Sequence, residues 1–231
     1  MPSSYRVLFD PRSVRRHAAV AYRRGARQAY AEVWKPLPDA SAALCVIAQD
    51  RPGLLSAIAA ALVSHRLDVI TALVFSRARP DGEHEAVDFL WVRRASKDDV
   101  ASIGAEEAVS VSEVLNAIVS GSISVEEIAS RAVVPLAAGE QRVDVRFDDA
   151  DDHGLAVLLV EAPDRPGVLL TIALEVFQQG AQIVRSLVRT ADGRAFNRFE
   201  LVEFSGATLS PDRRDQIRAA VHAALALSER L

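Results

Sequence analysis

The most constraining feature of this sequence is a short segment that occurs twice. Asp50-Arg51-Pro52-Gly53-Leu54 and Asp164-Arg165-Pro166-Gly167-Val168 each follow an apolar, strand-like run and precede an apolar, helix-like run. The two copies begin at positions 50 and 164, which are 114 residues apart. A strand, a turn and a helix that recur at this distance predict two similar units in tandem.

Each residue of this turn suits the start of a helix. Pro52 and Pro166 preset a helical φ and need no hydrogen-bond donor, and the glycine that follows allows a close approach of the backbone. The first helical N–H groups are unpaired and carry the positive end of the helix dipole, which favours an anion there. Asp50 and Asp164 either cap these donors or receive an ammonium group.

The length and composition limit the class of protein. With 231 residues, of which 50% are apolar, the chain can bury two small cores. The net charge of −4 and the interspersed arginines predict no nucleic-acid partner and no anionic membrane. A single cysteine, Cys45, lies in an apolar strand and is expected to be a small buried residue in a reducing compartment. No apolar run is long enough for a membrane span and no signal peptide is evident, so we expect a cytoplasmic protein.

The two units are predicted to share one order of elements. The first unit reads as strand Leu44–Ala48, helix Gly53–Ser64 and strands Leu67–Arg77 and Glu85–Val92; the second unit has a helix at Gly167–Gln179 and strands at Gln182–Thr190 and Phe196–Phe204. Aligning Phe89 with Phe199 makes the first hairpin four residues longer than the second. Helices are predicted at Asp10–Arg27, Ala105–Val119 and Val125–Ala132 and from Ser210 onward.

A short alternating strand precedes each unit, at Ala29–Val33 and at Val143–Phe147. We hypothesise that each leading strand closes the sheet of the other unit. The predicted fold is α+β, with two ferredoxin-like βαββαβ units in tandem, antiparallel sheets and helices on one face. The predicted division is an N-terminal helix and leading strand (1–40), a first unit (41–104), a helical linker belonging to it (105–142) and a second unit (143–231).

A strand, Asp-Arg-Pro-Gly, an Ala/Leu-rich helix and a β-branched hairpin together resemble the ACT domain, a small-molecule sensing module usually attached to enzymes of amino-acid metabolism. The resemblance covers both repeats. A narrower resemblance is to the C-terminal half of the bifunctional uridylyltransferase/uridylyl-removing enzymes of bacterial nitrogen regulation. It rests on segments 41–92, 115–121 and 145–149 and on Val14-Arg15-Arg16-His17-Ala18. In that family the paired ACT domains sense glutamine.

The sequence departs from that family in its chemistry. It contains no Gly-Ser element followed by an Asp-x-Asp metal pair and no His-Asp dipeptide for a metal-dependent hydrolase. The resemblance therefore implies sensing without catalysis, and we expect no cofactor.

The resemblance also implies where an effector binds. An α-amino acid would place its carboxylate on the N–H groups after Gly53 or Gly167 and its ammonium against Asp50 or Asp164, with Arg51 or Arg165 as a further charge partner. ACT domains also use the residues that begin the second strand. The candidate ligand-binding residues are Asp50, Arg51, Pro52, Gly53, Leu54, Asp68, Val69, Asp164, Arg165, Pro166, Gly167, Val168, Gln182 and Ile183.

The expected partners are an amino-acid effector, glutamine first, a regulated enzyme or signal protein, and a second copy of the chain in a homodimer. The competing hypothesis is an assembly module whose turns bind nothing.

Two acidic clusters are weighed as metal sites and rejected. Asp148, Asp149, Asp151, Asp152 and His153 lack the alternation of a calcium loop, so a solvated loop is favoured. His84, Glu85 and Asp88 lie at the mouth of a hairpin, where alternation sends neighbouring residues to opposite faces, so we expect that they do not form a ligand set.

Overall fold

The computed structural model describes residues 3–38, 40–96, 98–99, 101–132, 142–148 and 155–226. The helices are α1 (Ser3–Leu8), α2 (Pro11–Arg24), α3 (Leu54–Ser64), α4 (Ala105–Val119), α5 (Val125–Ala132), α6 (Val168–Gln178) and α7 (Pro211–Leu225). The strands are β1 (Ala29–Pro36), β2 (Ala42–Gln49), β3 (Leu67–Leu73), β4 (Ser76–Ala78), β5 (His84–Arg94), β6 (Asp144–Asp148), β7 (Ala156–Pro163), β8 (Ala181–Ala191) and β9 (Arg194–Glu203). Asp149, Asp151, Asp152 and His153, from the rejected acidic cluster, lie outside the described residues.

All nine described strands belong to one antiparallel sheet, which confirms the α+β class. Their order is β1-β2-β5-β3-β8-β9-β7-β6, with β4 paired to β5. The two halves, β1 to β5 and β6 to β9, meet where β3 pairs with β8. The two predicted sheets are therefore one continuous sheet.

The junction between the halves has an approximate two-fold relation. Leu73 pairs with Leu187, and these two residues are separated by the same 114 positions as the two turns. Each of the two central strands also has an irregularity at the corresponding place, between Val69 and Thr71 and between Ile183 and Arg185. The repeat in the sequence is thus a repeat in space.

The hypothesis that each leading strand closes the sheet of the other unit is wrong. β1 pairs with β2 from Ala29 opposite Ala48 to Pro36 opposite Ala42, and β6 pairs with β7. A connection of only a few residues joins β1 to β2, so the strand returns along its immediate neighbour at little cost in loop entropy.

The predicted alignment of Phe89 with Phe199 is also wrong, by one residue. Leu44 pairs with Leu90 and its equivalent Leu158 pairs with Phe199, so Leu90 and Phe199 occupy equivalent positions. A shift of one residue reverses the face of a strand. Phe89 therefore packs on the face of the sheet opposite to that of Phe199.

Helices α3 to α7 cover one face of the sheet and form the main core with it. The prediction of helices on one face fails for α1 and α2, which cover the other face of the first half. There Tyr5 and Val20 pack with Ile47, Phe75 and Phe89 in a second, aromatic cluster.

Helix α2 begins as predicted, with the Asp10 side chain accepting hydrogen bonds from the amides of Arg12 and Ser13 at 2.8 Å. The spacing of apolar residues predicts that Val14, Ala18, Ala21 and Tyr22 lie near one face of this helix and Arg24 on a solvated flank, but the buried face is a different one. His17, Val20 and Arg24 are buried, whereas Tyr22 is exposed. Arg24 reaches across to the buried Glu85 at 2.6 Å, so an ion pair as well as apolar packing holds this face of the helix against the sheet.

Among the described residues, no helix combines the length and apolar character that crossing a membrane requires.

The buried face of α2 carries a neutral histidine, His17. His17 is buried against Phe9, Trp34 and Phe89, and its Nδ1 lies 2.8 Å from the Tyr5 hydroxyl. Burial lowers the pKa of His17 from 6.5 to about 4. Between pH 6.5 and pH 4 the unfolded chain binds a proton at His17 that the folded chain does not bind. The free energy of unfolding therefore decreases as the pH falls from 6.5 towards 4.

We predict that His17→Gln removes most of this acid sensitivity, on the order of 3 kcal/mol. The free energy of unfolding is measured between pH 7 and pH 4.5 by urea titration. The fluorescence of Trp34 and Trp91, which pack against this cluster, reports the transition. The exposed His222→Gln is the matched control and should behave as wild type. An equal loss of stability with acid in wild type and His17→Gln would refute the prediction.

A buried carboxyl lies on the helix-facing side of β5. Asp88 is 1% exposed, and from the part of the chain that the structure describes its Oδ1 accepts one long hydrogen bond, from the Phe75 amide at 3.4 Å. Burial, reinforced by Asp50, raises the pKa of Asp88 well above 3.8. Asn197 occupies the equivalent position of the second half, since Val46 pairs with Asp88 and Val160 with Asn197.

We expect Asp88→Asn to stabilise the protein at pH 7 by at least about 1 kcal/mol and to have little effect near pH 4. The folded state holds the Asp88 proton more tightly than the unfolded state, so wild-type stability decreases as the pH rises above 3.8. The reverse change, Asn197→Asp, should introduce the same pH dependence in the second half. Thermal unfolding at both pH values tests this, and a destabilised Asp88→Asn protein at pH 7 would contradict it.

Candidate ligand-binding clefts

The junction of β3 with β8 places each Asp-Arg-Pro-Gly turn against the other half of the molecule. The turn at Asp50 faces Gln182 and Ile183, where β8 begins, and we call this region the first cleft. The turn at Asp164 faces Asp68 and Arg93 of the first half, and we call this region the second cleft. The candidate residues of each turn therefore meet candidate residues from the other repeat: Asp50 lies near Gln182, and Asp164 lies near Asp68.

Both helices after the turns begin without a side-chain cap from the described residues. Gly53 (φ 79°) and Gly167 (φ 86°) hold the left-handed conformation that glycine adopts without a steric penalty. Asp50 and Asp164 do not cap; their backbone amides bond to the carbonyls of His84 and Gly193 and tie each turn to the adjacent hairpin. Of the two alternatives for these aspartates, the one in which they cap the helix is wrong.

The first cleft is closed. The ring of Phe177 lies so near Gly53 that a Cβ there would be 2.9 Å from it, and the remaining cavity measures about 20 Å³. A water molecule needs roughly 10–15 Å³ on this scale, so the space suits about one water. Asp50 lies 3.5 Å from the amide of Gln182, and the buried Asp88 forms part of the wall.

The second cleft contains an ion bridge between the two halves. Nη2 of Arg93 donates to Oδ2 of Asp68 at 2.8 Å and to Oδ2 of Asp164 at 2.6 Å, and Nε donates to Asp68 at 3.2 Å. Thr190 donates to the other oxygen of Asp164 at 3.3 Å. One guanidinium is therefore shared by two carboxylates from different halves.

The electrostatics of this bridge are unbalanced by one negative charge. Burial raises the pKa of Asp68; Arg93 opposes this shift and Asp164 adds to it. Burial disfavours the charge of Arg93, but its hydrogen bonds to Asp164 and Asp68 outweigh that effect and raise its pKa. A second cation near these carboxylates would complete the neutralisation.

Open space surrounds the second cleft. A cavity of about 760 Å³ lies on the helix side and is lined largely by apolar side chains, among them Val63, Leu67, Val114, Ile123, Ile128 and Pro166. A second space of about 890 Å³ lies along Asp68, Arg93 and Asp164 and also touches Pro166. Val63, which lines the cavity of about 760 Å³, occupies the sequence position equivalent to Phe177 and has a smaller side chain.

The candidate residues divide between the two clefts. The first cleft is lined by Asp50, Arg51, Gly53, Leu54, Gln182 and Ile183, and the second by Asp68, Asp164, Arg165 and Pro166. Val69 and Val168 are buried in the main core. Pro52 and Gly167 shape the turns and line neither cavity among those described.

Sequence reasoning missed Arg93, Phe177 and Thr190. Arg93 lies directly opposite Asp68 in the pairing of β3 with β5, a relation that appears once the register is known. Glu85 lies on the face of β5 opposite to that of Asp88, where it pairs with Arg24 and Arg77. The described residues hold no group of three or more His, Cys, Asp or Glu side chains suited to a metal ion.

The buried Cys45 is confirmed as a core residue of β2. Burial raises the pKa of its thiol, which disfavours the thiolate that a nucleophile requires.

Comparison with known proteins identifies distant relatives of this chain. A bifunctional uridylyltransferase/uridylyl-removing enzyme of Nitrobacter winogradskyi is 26% identical over 186 residues, which cover 78% of this chain and 19% of that protein. The protein of the same description from Phenylobacterium zucineum is 27% identical over an aligned length of 236 residues; the alignment covers 99% of this chain and 24% of that protein. No family model matches.

Among solved structures, the trimeric bacterial microcompartment shell protein PduB covers 80% of this chain at a TM-score of 0.27 and 8% identity, too little for a conclusion. The chain spans about a fifth to a quarter of the length of the curated relatives it matches. It is a distant homologue of part of the bifunctional uridylyltransferase/uridylyl-removing enzymes.

Proposed function

We propose that this chain is a non-catalytic tandem ACT protein that binds an α-amino acid, glutamine first among candidates, in the second cleft and regulates a partner in nitrogen metabolism. The observation that carries the proposal is the arginine-bridged pair of carboxylates, Asp68 and Asp164, which come from different halves. The distant homology to uridylyltransferase/uridylyl-removing enzymes supports the nitrogen context.

The second cleft offers separate places for the parts of an amino acid. The ammonium would lie against Asp68 and Asp164, whose joint negative charge exceeds that of Arg93 by one. The carboxylate would lie against Arg93, on the side of the uncapped start of α6, where backbone amides and the helix dipole favour an anion. The side chain would extend into the adjoining cavity of about 760 Å³. The first cleft, at about 20 Å³, has no such room.

A ligand in this position would change the equilibrium between arrangements of the two halves. It contacts Asp68 of one half and Asp164 of the other, so its affinity depends on their separation. A ligand shifts a conformational equilibrium only by its unequal affinity for the two states. The partner, a regulated enzyme or signal protein, would then respond to the favoured arrangement.

The alternative proposal is an assembly module without a ligand. It is supported by the closed first cleft and by the fact that Arg93 already partly neutralises the second. The outermost strands β1 and β6 lie at the two ends of the sheet. Asn116 and Ser112 of α4 bond to the backbone of Ala29 and Ala31 and cover the edge of β1, so a homodimer would form through the β6 end.

Calorimetry with the twenty amino acids, glutamine first, separates the two proposals. We expect one site per chain, with Asp164→Asn weakening binding at least tenfold because it removes a charge-assisted contact to the ammonium. Asp50→Asn is the matched control at the equivalent position of the closed cleft and should bind as wild type. Thermal unfolding of both variants checks that they fold.

Absence of heat and of a thermal shift with every amino acid would favour the assembly module. Loss of binding in Asp50→Asn with normal binding in Asp164→Asn would move the ligand to the first cleft.

A further inference from the structure

We propose that Arg93 determines the specificity of the second cleft by requiring a carboxylate beside the ammonium of the ligand. This inference rests on the proposed function, because it concerns the same cleft. It assigns Arg93 two alternative partners: the protein's own carboxylates when the cleft is empty, and the ligand's carboxylate when it is filled.

The contacts of Arg93 leave it able to change partners. Its side chain is 39% exposed, whereas the side chains of Asp68 and Asp164 are 8% and 13% exposed. Three hydrogen bonds use only Nε and Nη2, and Nη1 has no hydrogen bond to the described residues. The aspartates are therefore fixed by burial, while the arginine lies at the open side of the cleft.

The charges favour insertion of a zwitterion. Two carboxylates share one guanidinium, so an ammonium placed between Asp68 and Asp164 takes over the role that Nη2 of Arg93 now performs. The released guanidinium presents two parallel N–H donors, the geometry that matches a carboxylate. A ligand with both groups keeps every charge next to an opposite one. A simple amine would fill the carboxylate pair and leave Arg93 without a counter-charge.

The first cleft lacks this pair of residues. Asp68 lies opposite Arg93 between β3 and β5, and the equivalent pair between β8 and β9 is Gln182 opposite Val202. Only one carboxylate of the crossed pair, Asp50, remains there, near the amide of Gln182. The requirement for a carboxylate is therefore a property of the second cleft.

The test compares L-glutamine with 4-aminobutanamide, which has the same side chain and amino group but no α-carboxylate. Calorimetry with the wild-type chain should show that glutamine binds at least tenfold more tightly than the amine. Arg93→Gln should weaken glutamine binding about 10- to 100-fold and leave the amine bound equally well or more tightly, because its competitor for Asp68 and Asp164 is gone. Arg93→Lys keeps the charge without the paired donors and should give an intermediate ratio.

Arg185→Gln is the matched control. Arg185 is 42% exposed, pairs with the buried Glu200 and lines neither cleft, so its removal should leave both affinities unchanged. If the calorimetric panel identifies another amino acid, that acid and its decarboxylated amine replace the two probes.

The outcomes separate this inference from the proposal on which it rests. A wild-type chain that binds no amino acid overturns both. Binding by wild type, with an unchanged ratio of glutamine to amine affinity in Arg93→Gln, overturns the role of Arg93 and leaves the proposed function standing. An equal loss of both ligands in Arg93→Gln also overturns it, since that result indicates a structural role.

Discussion

The pairing of β3 with β8 is the constraint on which the rest of the structure depends. It joins the two halves into one sheet and centres their two-fold relation on Leu73 and Leu187. Because the pairing is antiparallel, the start of each central strand lies beside the turn of the other half. The two clefts are products of this junction, and neither is complete within a single half.

The two clefts have the same origin and different contents. In the first, Phe177 packs on Gly53 and fills the space in front of the helix. In the second, the equivalent of Phe177 is the smaller Val63, and Arg93 joins Asp68 to Asp164. The first cleft is therefore packed and the second is open and charged, and the two differ in the volume of one side chain and in the presence of Arg93. This difference supports assigning binding to the second cleft.

The repeat predicted the elements well because each has a strong local signal. Helices α4 and α5 have the predicted bounds, and α7 begins with Ser210 as cap and Pro211 in the first turn. The partners of the leading strands and the alignment of Phe89 were wrong. A strand's own residues specify which of its faces is apolar, but its neighbour depends on loop length and on competing edges. Likewise, α2 was found on the far face because its partner is a distant aromatic cluster.

By itself, the sequence determined that the chain is duplicated, that each copy has a glycine-led helix after a buried strand, and which aspartates stand at the turns. Those features follow from local backbone preferences and hydrophobic periodicity. Only the tertiary structure decided that Asp164 meets Asp68 and Arg93, and that Phe177 closes the other turn. Such contacts join residues far apart in the chain, and their geometry depends on the register of the central strand pair, which no local pattern records.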